Sequence, residues 1–358
     1  MNRILVKIIM DVIVILSLAC ASNTKQVQNE TESIPVNVQP VPDMKKVDVT
    51  INDALFTSYM YADTFEKPFL FPIVAADGIT VTRGFPIAPR EGEVVDHPHH
   101  TGYWFNYGNV NGIDFWGNSK WLPAEMRAKC GIIRFKNIDS TVSLPDKGIL
   151  VVNQEWVGPD GSVPLTEHTT YIFRAGKDYR IIDHFTTLTA QLPELVFADT
   201  KEGAFAIRVA RFLEFPAKEP KILTDAHGMA TKIPVMNNKG VNGNYLSSEG
   251  IEGAGVWGTR ARWMKLYGIS GADTVSIVFM DHPSNLNYPT YWHARDYGLF
   301  SANPFGQKDF TQGKEELNFK LKQGESVTFK HRLYIKSGNS FTAADIEKAW
   351  KDFSEHVK

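Results

Sequence analysis

The sequence predicts an all-β protein, a large antiparallel β-sandwich with one helix at its C-terminal end. Three observations point there. Runs of β-branched and aromatic residues recur through the body of the chain, separated by clusters of Gly, Pro, Asp and Lys. One segment only, near the end, has clear helical periodicity. No repeat period and no interior linker divides residues 50–340, so the strands are expected to build one domain.

The first twenty residues are set apart from that body. Arg3 and Lys7 make a basic start, and residues 12–18 form an apolar run suited to a signal-peptide core and too short to span a bilayer. Ser17-Leu18-Ala19-Cys20 resembles a bacterial lipobox, with Ser17 and Asp11 as departures from the usual pattern. Cys20 is therefore the expected lipidation site. Residues 21–47 read as a disordered tether, polar at first and then held extended by Pro35, Pro40 and Pro42. The folded domain is expected over residues 48–358. It is expected to be exported and lipid-anchored to the bacterial envelope, on the periplasmic or cell-surface face.

Within the domain, residues 132–135, 149–156 and 169–173 read as strands bounded by turns at 145–148, 159–161 and 175–178. Residues 179–189 continue the meander. Residues 275–280 are nearly all apolar, as in a strand covered on both faces. Residues 317–321 alternate, Gln323-Gly324-Glu325 supplies a turn, and residues 327–335 alternate again, so a hairpin is expected. Thr342 with Asp345 forms a capping box, and Phe341 with Ile346 fits a hydrophobic staple. Ile346, Ala349, Trp350 and Phe353 then share one helical face, which is expected to pack on the outside of the sheets.

Composition argues against several function classes. Cys20 and Cys130 are the two cysteines, so a lipidated Cys20 leaves no disulfide. The net charge is -2 with acids and bases interspersed, and the absence of a basic stripe argues against a nucleic-acid partner. No apolar run elsewhere in the sequence is long enough for a spanning helix either, so the membrane is expected to be touched through the N-terminal lipid only.

Four clusters are candidates for chemistry. The first, Asp96-His97-Pro98-His99-His100-Thr101-Gly102-Tyr103-Trp104-Phe105-Asn106, holds three of the ten histidines, whose imidazoles titrate near pH 7. In an extended chain His97 and His99 point one way, and His100, Trp104 and Asn106 the other. His97 and His99 would make half of a metal site, but no third ligand falls at a fitting spacing, so no metal or other cofactor is assigned. The second is residues 199–209. Phe205, Ile207 and Val209 share a core face, while Glu202, Ala204, Ala206 and Arg208 share the other, where alanines leave room for a ligand. Lys201 and Glu202 supply a cation and a base at adjacent positions, on opposite faces unless the chain bulges at Gly203. The third is Asp281-His282-Pro283-Ser284-Asn285 with Tyr291-Trp292-His293-Ala294-Arg295, where Trp292 offers a flat face and His293 and Arg295 share an orientation. The fourth, residues 297–306, reads as packing beneath the site, with Asn303 a polar contact. Each cluster also has a structural reading: a capped turn, a solvated face with an ion pair, or a proline turn.

Taken together, these clusters resemble a family of secreted bacterial proteins labelled "PmoA". The resemblance rests on His97-Pro98-His99-His100 with Tyr103-Trp104-Phe105 and residues 108–116, and on Asp199-Thr200-Lys201-Glu202-Gly203 with Ile207-Arg208-Val209. Trp257-Gly258 with Arg260-Ala261 and Trp263, Asp281-His282-Pro283, residues 291–295, Tyr297-Gly298-Leu299 and Asn303-Pro304-Phe305-Gly306 complete it. It runs from about residue 55 to residue 337. The resemblance implies a galactose-mutarotase-like supersandwich and a carbohydrate role, with His99 or His100 as acid and Glu202 as base across a sheet face.

Two functional readings follow. In the first, the protein is a carbohydrate-active enzyme of epimerase, lyase or hydrolase type. His99, His100 or His293 donates a proton and Glu202 accepts one, while Lys201, Arg208 and Arg295 hold hydroxyls or developing charge. In the second, it is a non-catalytic carbohydrate-binding lipoprotein. Tyr103, Trp104 and Trp292 then stack on sugar rings, and His97, Asn106, Asp281 and Asn303 serve as polar contacts in either reading.

Overall fold

The computed structural model of the chain describes residues 34–338 and 341–356. The export segment, Cys20 and the first part of the expected tether lie outside the described residues. In chain order the strands are β1 Val36–Val41, β2 Lys46–Ile51, β3 Ala54–Met60, β4 Phe69–Ile73, β5 Tyr103–Tyr107, β6 Ile132–Ser143, β7 Gly148–Val157, β8 Leu165–Gly176 and β9 Tyr179–Ala190. They continue with β10 Glu194–Phe197, β11 Gly203–Arg208, β12 Asn244–Ser247, β13 Trp263–Ser270, β14 Asp273–Asp281, β15 Tyr291–Ala294, β16 Leu299–Asn303, β17 Phe319–Lys322 and β18 Ser326–Ser337. Three α-helices are described: α1 Ala124–Arg127, α2 Gln307–Phe310 and α3 Ala343–His356.

Two eight-stranded antiparallel sheets carry the fold. The first has the order β1-β2-β3-β4-β5-β11-β16-β15, and the second β12-β13-β14-β18-β9-β8-β7-β6. Their facing sides share one apolar core. Phe105, Phe205, Trp292 and Phe300 from the first sheet meet Trp156, Phe173, Phe279, Phe329 and Leu333 from the second. Alternation along each strand selects these residues, because successive side chains take opposite faces. This is the large β-sandwich expected. Residues 275–280 are buried on both faces as well, since α3 covers the outer side of the second sheet through Val278, Met280, Trp263, Ile346 and Phe353. The capping box forms: the Asp345 carboxylate accepts from the Thr342 backbone N–H at 2.9 Å, and Thr342 Oγ1 accepts from the Asp345 N–H at 3.3 Å.

Two expectations are corrected. The tether is shorter than expected, because residues 36–41 form an edge strand in register with β2. Val36 and Val38 are buried on one side of it and press against Gly148. Prolines that hold a chain extended are compatible with an edge strand, where a missing N–H faces away from the ladder. The hairpin at 317–335 does not form. β17 pairs with β10 and β18 with β9, so residues 323–325 kink one long ribbon instead of reversing it. Sequence alternation on both sides of a turn looks the same in either case.

Candidate functional site

The site lies on the outer face of the first sheet, where β5, β11, β16 and β15 are neighbours. Trp104, Ala206, Ser301 and His293 face one another across these four strands. The next row is Phe105, Phe205, Ala302 and Trp292, which points into the core. Small residues at Ala206 and Ser301 keep the floor low between Trp104 and His293.

The histidine stretch is a turn and not a strand. The His100 N–H donates to the His97 carbonyl at 2.9 Å, and His97 adopts φ 39°. Strand alternation therefore does not govern these rings. Instead Tyr297, His97, His100 and Trp104 form a column. The His97 ring lies parallel to Tyr297 at 5.0 Å and to His100 at 4.8 Å, and His100 stacks on Trp104 at 5.4 Å. His99 meets His97 and His100 edge-on. Gly102 ends the turn at φ 60°, with the Leu70 carbonyl where a Cβ would sit.

Buried charge holds the column from below. Asp96 Oδ1 accepts from Arg83 Nη1 at 2.6 Å and lies 2.7 Å from Arg208 Nη2. Arg83 also donates to the carbonyls of Val94 and His97. Arg208 Nη1 lies 3.3 Å from His100 Nδ1. A guanidinium only donates, so His100 Nδ1 accepts and its proton sits on Nε2, a buried atom without a partner among the described residues. Burial, with His99 and Arg208 adding to it, pushes the His100 pKa well below the usual imidazole range. Burial and then the Lys67 charge take His99 down to about 2. Lys67 donates to the His99 carbonyl at 2.6 Å and lies 5.2 Å above the Trp104 ring, and burial lowers it to about 8.

The other half of the site centres on His293. Its Nδ1–H donates to the Lys201 carbonyl at 2.6 Å, which leaves Nε2 as the acceptor nitrogen. Burial lowers its pKa to about 4, against the opposing pull of the Glu202 charge. Lys201 Nζ and Glu202 Oε1 form an ion pair at 3.0 Å. Both lie in a bend before β11, so strand alternation does not separate them. Trp257 sits edge-on to His293 at 6.4 Å, and its buried Nε1–H has no partner among the described residues. The Arg295 guanidinium lies 5.8 Å from the Trp257 ring centre and 5.4 Å from that of Tyr297.

The structure thus brings His97, His99, His100, Lys201, Glu202, His293 and Arg295 to one face. His99 and His100, expected as proton donors, are held neutral by burial beside cations, and a neutral imidazole N–H is a poor acid. Several other candidates are structural. Tyr103 points into the core and bonds His184 Nδ1 through its hydroxyl at 2.9 Å. Trp292 is also in the core, with Nε1–H donated to the Ala261 carbonyl. Neither presents a face to a sugar, because strand alternation turns them inward. Trp104 faces outward but is buried beneath His100 and Trp116. Asn106 accepts from Trp104 Nε1 and donates to the Phe115 carbonyl. Asn303 donates to the Thr200 carbonyl and accepts from the Phe305 N–H. Arg208 is fully buried in the Asp96 cluster. Asp281 belongs to the second sheet, where it accepts from the Thr290 N–H and from Asn285.

Sequence reasoning missed Lys67, Trp257 and Tyr297 as site residues. Lys67 had a signal, a single cation just before the apolar run 69–71. Tyr297 was read as packing, and its partner in the column is distant in sequence. Among the described residues no group of three or more His, Cys, Asp or Glu is arranged to hold a metal.

Comparison with known proteins places these features in context. No curated protein matches the chain. Among solved structures, the galactosidase domain of an α-galactosidase–sucrose kinase is similar at 10% identity and a TM-score of 0.37, over 84% of this chain and 41% of that one. An α-galactosidase from Geobacillus stearothermophilus is similar at 10% identity and a TM-score of 0.36, over 85% of this chain and 41% of that one. A putative aldose 1-epimerase from Escherichia coli K12 aligns at 13% identity and a TM-score of 0.28, over 85% of this chain and 99% of that one. This chain therefore spans less than half the length of the two α-galactosidase structures. The PmoA label finds no support in these comparisons. Residues 46–351 match a family of unknown function, DUF6807, and the chain belongs to that family.

Proposed function

We propose that the protein is a carbohydrate-active enzyme of the bacterial envelope, exported and lipid-anchored through Cys20. Its partner is a sugar or oligosaccharide, it touches the membrane through the lipid only, and it binds no nucleic acid. The observation that carries this reading is the state of His293. A buried imidazole with its tautomer held by the Lys201 carbonyl offers a neutral Nε2 beside the Glu202 carboxylate. Such a nitrogen takes a proton from a carbon or hydroxyl, and a carboxylate next to it steadies the imidazolium that forms. Lys201, paired with Glu202, keeps that carboxylate oriented. The reaction is of epimerase, lyase or hydrolase type.

The neutrality of His99 and His100 favours a second reading, a carbohydrate-binding lipoprotein without catalysis. Neutral imidazoles donate and accept hydrogen bonds to hydroxyls without moving protons. One experiment separates the two. Purified protein and a His293→Gln variant are incubated with a panel of oligosaccharides and keto-sugars, and products are followed by NMR. Turnover by wild type and its loss in the variant support the enzyme. Binding by both without any product leaves the binding protein.

A further inference from the structure

The proposed carbohydrate role says nothing about the charge of the sugar, and Arg295 does. Its guanidinium makes no hydrogen bond and no ion pair to any described residue. Every other arginine beside the site is spoken for: Arg83 and Arg208 by Asp96, and Arg211 by Glu214. Arg295 is instead flanked by two aromatic rings, Trp257 at 5.8 Å and Tyr297 at 5.4 Å. Ring faces attract the cation and limit where it can go, but they leave all five N–H donors without acceptors. One of those rings carries a further unmet donor, the buried Trp257 Nε1–H. An unpaired indole N–H beside an unpaired, half-buried guanidinium is an acceptor-poor corner.

Position strengthens the point. Arg295 follows β15, two residues after His293, and its charge acts on both the His293 and the Tyr297 side chains. The corner therefore adjoins the acid–base pair and the ring column at once. The Glu202 carboxylate, whose charge acts on His293 and Tyr297 as well, is taken up by Lys201.

We propose that Arg295 is the receptor for the anionic substituent, carboxylate or sulfate, of an acidic sugar. The guanidinium fork takes two oxygens of that group, Trp257 and Tyr297 close on its flanks, and the ring of the same sugar lies toward His293. This rests on the carbohydrate reading above and adds the substrate class. Planar guanidinium matches a carboxylate in two parallel hydrogen bonds, which gives orientation as well as affinity.

Calorimetry on the purified protein tests it with three probes of one size: digalacturonate, its dimethyl ester and a sulfated galactose disaccharide. Wild type is expected to bind a charged probe about tenfold tighter than the ester, the scale of one charge-assisted pair. Whichever charged probe shows the preference identifies the group as carboxylate or sulfate. Arg295→Gln is expected to bring the charged probe down to the affinity of the ester, and Arg295→Lys to recover part of the difference. Equal binding of acid, sulfate and ester by wild type overturns the proposal and leaves a neutral-carbohydrate reading standing. A preference that survives in Arg295→Gln overturns it too. If none of the three probes binds, this inference falls, and the oligosaccharide and keto-sugar panel above decides the carbohydrate reading separately.

Discussion

Asp96→Asn is the perturbation with the clearest consequence. Among the described residues Asp96 is the one carboxylate that touches both Arg83, at 2.6 Å, and Arg208, at 2.7 Å, and both arginine side chains are 0% exposed. Removing the charge leaves Arg83 without a counterion and Arg208 with the more distant Glu214 carboxylate at 3.8 Å. Breaking a buried ion pair from one side costs about 3–5 kcal/mol. Two features place this case at the low end. Asp96 is itself 27% exposed, and Arg83 keeps its carbonyl acceptors at Val94 and His97. We expect a loss of about 3 kcal/mol at pH 7, and a fall in Tm of about 4–5 °C for a domain of roughly 310 residues.

Urea denaturation of the wild type and the variant measures the cost. Burial alone would raise the Asp96 pKa, but Arg208, His97 and Arg83 outweigh it and hold the carboxyl well below the usual range. A depressed folded pKa means that the stability is present above the unfolded value near 3.8 and is lost as pH falls below it. Asp96→Asn should therefore be weaker at neutral pH and less sensitive to acid. A double variant with Arg83→Met should cost less than the two singles added, because the charges are coupled. A loss under about 1 kcal/mol at pH 7, or strict additivity, would refute the idea that Asp96 neutralises this pair.

Three further outcomes are expected. If His293 is the base, the acid limb of the pH–activity profile should fall near pH 4 and not near 6.5, since burial disfavours its protonated form, and His293→Gln should remove that limb with the activity. Glu167, buried beneath hydrogen bonds from Trp156, Thr169 and Gln154, is pushed by burial up to about 7. A raised folded pKa makes stability fall as pH rises from about 4.5 to about 7, by at most about 3 kcal/mol, and urea midpoints at pH 5 and pH 8 should show a slope that Glu167→Gln flattens. Gly102→Ala should cost more than about 2 kcal/mol by thermal melting, because the new Cβ would sit 2.2 Å from the Leu70 carbonyl oxygen in a left-handed backbone, and an unchanged Tm would contradict the turn geometry.

Much of the architecture was legible in the chain alone. Local rules sufficed wherever local physics decides. Period-two alternation placed Phe205 and Ile207 in the core and Ala206 and Arg208 outside it. The Thr342 and Asp345 pair started α3 where the capping box said it would. Where partners are distant in sequence, the chain was silent or misleading. The alternating runs at 317–335 carried no sign that β10 and β9 would claim them separately. Trp292 looked like a sugar platform until its register with Ala302 turned it inward.

For the site, the sequence by itself determined which residue types were on hand: the three clustered histidines, the adjacent Lys201 and Glu202, and His293 with Arg295 after it. Only the tertiary structure decided their states. His100 is neutral because the fold buries it, with Arg208, 108 residues away, donating to its Nδ1. His293 presents Nε2 because the Lys201 carbonyl, 92 residues away, accepts from Nδ1. Burial and long-range hydrogen bonds set protonation and tautomer, and neither is written in the spacing of neighbours along a chain.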